Sequence, residues 1–160
     1  MVNAGITEVE VWKALEGIAD PEIPVISVVQ LKIIRSVEIR DDEVRVEITP
    51  TFVGCPALDT ITESIAKTLT ALGFKSVIVK KNFLAHWSTD LLDKEARSRL
   101  QQFGIAPPLE SGTNGSPEPV PCPYCNSTDT KVESPFGATL CKKLCYCNSC
   151  KQSFEQFRTI

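Results

Sequence analysis

Apolar and polar positions alternate in two registers along this chain. Val11, Leu15 and Ile18 recur at helical spacing after Thr7-Glu8-Val9-Glu10. In that tetrapeptide the Thr hydroxyl and the Glu carboxylate can satisfy the first free backbone N–H groups, a capping box. The pattern predicts a helix over 8–18, ended before Asp20-Pro21-Glu22-Ile23-Pro24, where two prolines fix the backbone in turn or extended form. Leu31, Ile33, Val37 and Ile39, then Val44, Val46 and Ile48, follow the two-residue period of strands. Asp41-Asp42 between them predicts a β-hairpin.

Helical spacing returns at Leu58, Ile61, Ile65, Leu69 and Leu72, with Gly73 as a natural C-cap. Val77–Val79 reads as a third strand. Leu92, Ala96, Leu100 and Phe103 mark a last helix, with Asp93 as N-cap and Gly104 as C-cap. The order predicts an α+β fold, a small mixed sheet of about three strands packed with helices. Residues 107–121, rich in Pro, Gly and Ser, read as a flexible linker. The expected division is therefore a domain over 1–106, a linker over 107–121 and a small module over 122–160.

That module carries Cys122-Pro-Tyr-Cys125 and, after 21 intervening residues, Cys147-Asn-Ser-Cys150. Each pair puts two thiolates on one tight turn, and two such turns supply the tetrahedral sulfur set that Zn²⁺ prefers. A C-terminal four-cysteine zinc ribbon is the expectation, with a single iron or a cluster as the rival occupant. Pro123, Asn126, Asn148 and Lys151 suit the turns. Strands are expected over Thr139–Tyr146 and Ser153–Phe157, with Phe136, Phe154 and Phe157 as a minimal core. Strand alternation places Cys141, Cys145 and Cys147 on one face. Packing is the reading for Cys145, while Cys141 is either a packing residue or a spare thiol.

Composition narrows the function. The 160 residues carry a net charge of −3, with 42% hydrophobic and 23% charged positions. Residues 1–121 hold 12 Lys/Arg against 17 Asp/Glu, a charge of −5, and 122–160 hold 5 against 3, a charge of +2. The acidic main body argues against a nucleic-acid binder. An odd count of seven cysteines, four of them at metal-type spacing, with no basic-then-apolar leader, predicts a reducing, cytoplasmic setting. No apolar run is long enough to span a membrane. There is no phosphate loop, no dinucleotide fingerprint and only one histidine, His86, read as a surface or packing residue. No catalytic residue is assigned.

A quieter candidate lies in Thr49-Pro50-Thr51-Phe52-Val53-Gly54-Cys55-Pro56. Pro56 suits the first turn of a helix, which makes Cys55 the N-cap or its neighbour. Thiolates are stabilised at that end. The alternative is a small buried hydrophobe at a helix start. Asp20 and Glu22 offer a similar choice between a carboxylate pair and residues that shape a proline turn.

Asp20-Pro21-Glu22-Ile23-Pro24, Ser27-Val28, Thr49-Pro50-Thr51 and Gly54-Cys55-Pro56-Ala57 resemble the metal-sulfur cluster biosynthesis (SufT-like) family over roughly residues 8–81. The resemblance implies that Cys55, with Asp20, Glu22, Thr49 and Thr51, handles a transient iron–sulfur cluster or iron. Trp87-Ser88-Thr89-Asp90, Leu100–Pro108, the ribbon, and within it Pro135–Thr139, resemble a narrower family, the accessory subunits of phenylacetyl-CoA ring-epoxidising oxygenases. What that implies is a maturation role in phenylacetate catabolism. The other oxygenase and reductase subunits become the partners, with a homodimer a further partner considered. A general iron–sulfur assembly or targeting factor is the alternative. At Gln30-Leu31-Lys32 the chain departs from the family's Asp-Leu-Gly, and Lys32 stands at a position where backbone geometry suits glycine.

Overall fold

The computed structural model describes residues 5–109 and 120–158, which divide into two compact units at Trp87/Ser88. The expected linker falls largely on 110–119, outside the described residues.

In the first unit α1 spans Glu8–Glu16. The Thr7 side chain accepts from the Glu10 N–H and the Glu10 carboxylate accepts from the Thr7 N–H, so both halves of the box are present. The helix stops two residues earlier than expected, with Gly17 as its C-cap. β1 (Ile34–Arg40) and β2 (Glu43–Ile48) form the antiparallel hairpin, turning at Asp41 with φ 52°. β3 (Ser76–Lys81) pairs in parallel with β2 after α2 (Leu58–Leu72) crosses between them. Gly73, at φ 123°, closes α2 in a conformation that L side chains resist.

The strand order β1-β2-β3 leaves one face for the helices. Val44, Val46 and Ile48 from the sheet are fully buried, as are Val11 and Leu15 of α1 and Ile65 and Leu69 of α2. Each such aliphatic side chain stabilises the fold by roughly 1.5–3 kcal/mol. The opposite face carries ion pairs, Arg45 with Glu43 and Lys80 with Glu47. Between α1 and β1 the chain winds irregularly but feeds Ile23, Ile26, Val28, Leu31 and Ile33 into the core. Lys32 sits there at φ 57°, so the position expected to suit glycine is a left-handed one.

The second unit holds α3 (Lys94–Gln102) and a four-stranded sheet ordered β4-β7-β6-β5. These strands are β4 (Ile105–Ala106), β5 (Thr130–Ser134), β6 (Lys142–Cys147) and β7 (Ser153–Phe157). Asp93 caps α3 by accepting from the Ala96 N–H at 2.9 Å. Phe103, expected on its buried face, is exposed, while Leu92, Ala96 and Leu100 are buried. Arg97 donates to the carbonyls of Thr89, Leu92 and Pro108, clasping the segments on either side of α3. β4 pairs in parallel with β7, which is why residues 88–106 belong with the ribbon rather than with the first unit. Phe154 and Phe157 are buried as expected; Phe136 is half exposed, beneath the Arg158 guanidinium. Val120 and Ala106 complete the core in its place.

Candidate metal centre and the Cys55 loop

The two Cys-x-x-C turns are built alike. Cys122 N–H donates to the Ser127 carbonyl and Asn126 N–H to the Cys122 carbonyl, both at 2.9 Å. Cys147 N–H donates to Gln152 at 2.9 Å and Lys151 N–H to Cys147 at 3.0 Å. Asn126 and Lys151, each just after the second cysteine, have φ of 61° and 60°. That left-handed residue reverses the chain, so both sulfurs of each turn point the same way. Asn148 then bonds Asp129 twice, through its N–H at 2.8 Å and its side-chain amide at 2.9 Å. Ser127 and Ser149 hydroxyls meet at 2.7 Å. These contacts hold one turn against the other, and the residue pattern alone did not single out Asp129, Ser127 or Ser149.

The four sulfurs lie within 4.8 Å of one another. Cys122 and Cys150 are 3.7 Å apart, and Cys125 and Cys147 3.6 Å. A tetrahedron of thiolates about 2.3 Å from a zinc ion has edges of about 3.8 Å, so the spacing and the soft donors fit such an ion. Backbone N–H groups of Cys150 and Ser149, opposed by burial, hold the Cys147 thiol down to about 7. Burial pushes the Cys150 thiol up to about 12. The four cysteines form a metal-binding cluster.

Cys145 is buried beneath the cluster with Phe154, Val120 and Ala106, and that burial raises its thiol. Cys145 and Cys147 share a face of β6. Cys141, expected with them, lies on the turn before the strand, its sulfur 3.1 Å from the Thr139 hydroxyl.

In the first unit, Thr49, Thr51 and Cys55 belong to one loop between β2 and α2. The expectation for Cys55 is corrected: the N-cap of α2 is Ala57, without a side-chain cap. Cys55 instead closes a turn, its N–H donating to Phe52 at 3.1 Å and its carbonyl accepting from Leu58 at 3.2 Å. Its side chain is half-buried. The Phe52 ring folds against Gly54, where a Cβ would lie 3.2 Å from it. Thr49 is buried, and its hydroxyl has no hydrogen-bond partner among the described residues.

Asp20 is buried, with one carboxylate oxygen accepting the N–H groups of Glu22 and Ile23 at 2.8 and 2.9 Å. It shapes the proline turn, and Glu22 is exposed beside it. Among the described residues the converging ligand atoms are those of the four ribbon cysteines; Asp20, Glu22 and Cys55 form no such group. His86 is exposed, its carbonyl accepting from Arg35. No helix among the described residues is long and apolar enough to cross a membrane.

Comparison with known proteins divides along the same two parts. Residues 8–79 match the model of iron-sulfur cluster assembly proteins, and residues 106–158 that of the PaaD zinc beta ribbon domain. A putative 1,2-phenylacetyl-CoA epoxidase subunit of Escherichia coli strain K12 is 38% identical over 152 residues, covering 94% of this chain and 92% of that protein. An Fe-S protein maturation auxiliary factor of Porphyromonas gingivalis is 35% identical over 96 residues, 59% of this chain and 90% of that one. Two solved structures resemble this chain in fold over somewhat more than half its length. A DUF59 domain of Bacillus anthracis has a TM-score of 0.54 at 23% identity, covering 58% of this chain and 90% of its own. A conserved hypothetical protein of Thermotoga maritima has 0.53 at 26%, covering 59% and 94%.

Proposed function

The chain belongs to the PaaD family of 1,2-phenylacetyl-CoA epoxidase subunits, and from that membership we propose that it is an accessory subunit of a multicomponent phenylacetyl-CoA ring-1,2-epoxidase that assists assembly of a metal centre in its partners. The observation that carries this reading is the joining, in one chain, of an iron–sulfur assembly region with a PaaD-type ribbon. The centre served is the iron–sulfur cluster of the reductase component or the di-iron site of the oxygenase. The cluster or iron is cargo.

Cys55 is the soft ligand that contacts the cargo. Its side chain is half-buried, and Thr49 offers an uncommitted buried hydroxyl at the start of the same loop. Asp20 acts at a distance from the chemistry, by fixing the proline turn through two N–H bonds. Cys122, Cys125, Cys147 and Cys150 hold zinc. That ion supplies a redox-inert cross-link between the two turns, so the ribbon serves as a docking module, in a reducing cytoplasm where thiols persist.

The experiment is to express the epoxidase operon with Cys55→Ala and measure cluster content of the reductase, iron in the oxygenase, and epoxidation. Loss of loading with the partner polypeptides at normal abundance is expected. Normal loading and full epoxidation sink the Cys55 role.

A second reading, a general iron–sulfur assembly or targeting factor, is favoured by the likeness to the P. gingivalis maturation factor. It requires that deleting the gene lower cluster occupancy in iron–sulfur enzymes unrelated to phenylacetate. The first reading requires that those enzymes keep theirs.

A further inference from the structure

The cargo loop and a second loop leave the first unit at the same end of its sheet. β2 and β3 run in parallel, so Ile48, paired with Lys81, precedes one loop while Lys81 precedes the other. The Asn82 N–H donates to the Ile48 carbonyl at 2.8 Å. Farther on, Arg35 at the start of β1 donates to the His86 carbonyl, and the buried Trp87 indole donates to the Leu31 carbonyl. Residues 82–86 are thus pinned across the strand ends, at the end of the sheet from which the Cys55 loop also leaves. Asn82 aids this by accepting from the N–H groups of Leu84 and Ala85, which turns the intervening side chains outward.

Both segments are free of Asp, Glu, Lys and Arg, over 49–58 and over 82–87. Of the flanking charges, Asp59 pairs with Lys81 at 2.6 Å and Glu47 with Lys80 at 4.0 Å, while Arg35 at the same end is held by the His86 carbonyl. What they expose instead is apolar. Leu84 is 99% exposed, Val53 71%, Phe83 49% and Phe52 37%. The open face of the same sheet is laced with ion pairs, which suits water rather than a partner. Interface centres are depleted of charge and rich in aromatic residues.

We propose that Phe52, Val53, Phe83 and Leu84 form the rim on which a client polypeptide docks, through an uncharged apolar segment, to bring its metal-free centre to Cys55. This rests on the cargo role given to Cys55 above. The lack of charge within both segments, and the pairing of Lys80 and Lys81 beside them, select the occupant. A nucleic acid or an anionic lipid surface finds Lys80 and Lys81 already paired, whereas an apolar protein segment matches this end in polarity.

The test uses the full-length chain with Val53→Asp and Leu84→Asp, positions exposed enough for folding to be retained, and Cys55→Ala in parallel. Each is titrated calorimetrically into the purified cluster-free reductase subunit of the epoxidase and, separately, into the iron-free oxygenase. Expected for one of these probes is binding by the native chain that changes little between low and high salt and weakens at least tenfold in each Asp variant. Cys55→Ala is expected to bind as the native chain does. Equal affinity in the Asp variants, or no binding of the native chain to either probe, overturns the docking surface. So does self-association of the native chain that Leu84→Asp abolishes, because a second copy is then the occupant. The two readings fail separately. Cluster loading lost in Cys55→Ala but normal binding and loading in Leu84→Asp removes the surface alone. Weakened binding in Leu84→Asp with full loading by Cys55→Ala removes the cargo role alone.

Discussion

Lys81 at the end of β3 reaches Asp59 in the first turn of α2, Nζ to Oδ1 at 2.6 Å. Asp59 is 85% exposed, so the pair is worth at most about 1 kcal/mol in stability. Its effect is local: it removes a charge from the end of the sheet where Cys55 and Leu84 lie. Asp59→Asn is therefore expected to shift the urea midpoint little. The same substitution unmasks Lys81, so client association measured calorimetrically should become dependent on salt. An unchanged salt profile means that the pair does not shape that surface.

The core beneath that end is far less tolerant. Ile65 and Leu69 are completely buried between helix and sheet. Leu69→Ala is expected to cost about 2–5 kcal/mol, through lost burial and the cavity left behind. Val9→Ala, on the exposed side of α1, should cost well under 1 kcal/mol. Paired urea titrations followed by far-UV circular dichroism check both.

Much of this fold is legible where the forces are local. Thr7 and Glu10 cap α1 because they are three residues apart, and Gly73 ends α2 because the chain there needs a positive φ. The ribbon cysteines announce themselves because four ligands need two tight turns. What stays hidden is non-local or silent in pattern. β4 is two residues long and is held by β7, far along the chain, so nothing near Ile105 marks it as a strand. β5 is an edge strand whose central residues are all exposed, so no alternation betrays it. Phe136 looks like core by residue type, yet it is held from outside by Arg158. Cys55 misleads for a related reason. Pro56 suits a helix start, but a turn from Phe52 to Cys55 and another from Cys55 to Leu58 delay the helix to Leu58.

Strain at the ribbon turns predicts a gain of stability. Lys151 sits at φ 60°, where an L residue is disfavoured by roughly 1–2 kcal/mol. Glycine accepts that conformation but orders at a cost of roughly 0.5–1 kcal/mol. Lys151→Gly should therefore leave the metal-loaded ribbon equally stable or more stable by up to about 1 kcal/mol. Lys151→Val, β-branched at the same φ, should weaken it by more than about 1 kcal/mol. Thermal melts of the zinc-loaded chain decide it, and a Val variant as stable as glycine sinks the strain account.

Protons give the sharpest test of the cluster. In the metal-free ribbon the Cys147 thiol is lowered to about 7 by N–H groups of its own turn. An ordinary cysteine titrates near about 8.5. A lowered group stabilises the fold fully above that ordinary value, and the contribution fades as pH falls through about 7. Cys150 runs the other way. Burial raises it to about 12, so its contribution is whole below about 8.5 and is lost as pH rises toward 12. Metal binding needs thiolates and expels the protons that remain. At about pH 8, with Cys147 already largely ionised, fewer than four protons should leave per metal ion bound. Below about pH 7 one more should be displaced, so the slope of log affinity against pH steepens by about one there. Competition with a chromophoric chelator between about pH 5.5 and 8.5 measures that slope, and calorimetry in buffers of different ionisation enthalpy counts the protons. A slope that stays constant through about pH 7 contradicts the lowered Cys147 thiol while leaving the four-sulfur geometry intact. Cys147→Ser should abolish both the break in slope and tight binding, because it removes the lowered thiol and one of the four sulfur ligands.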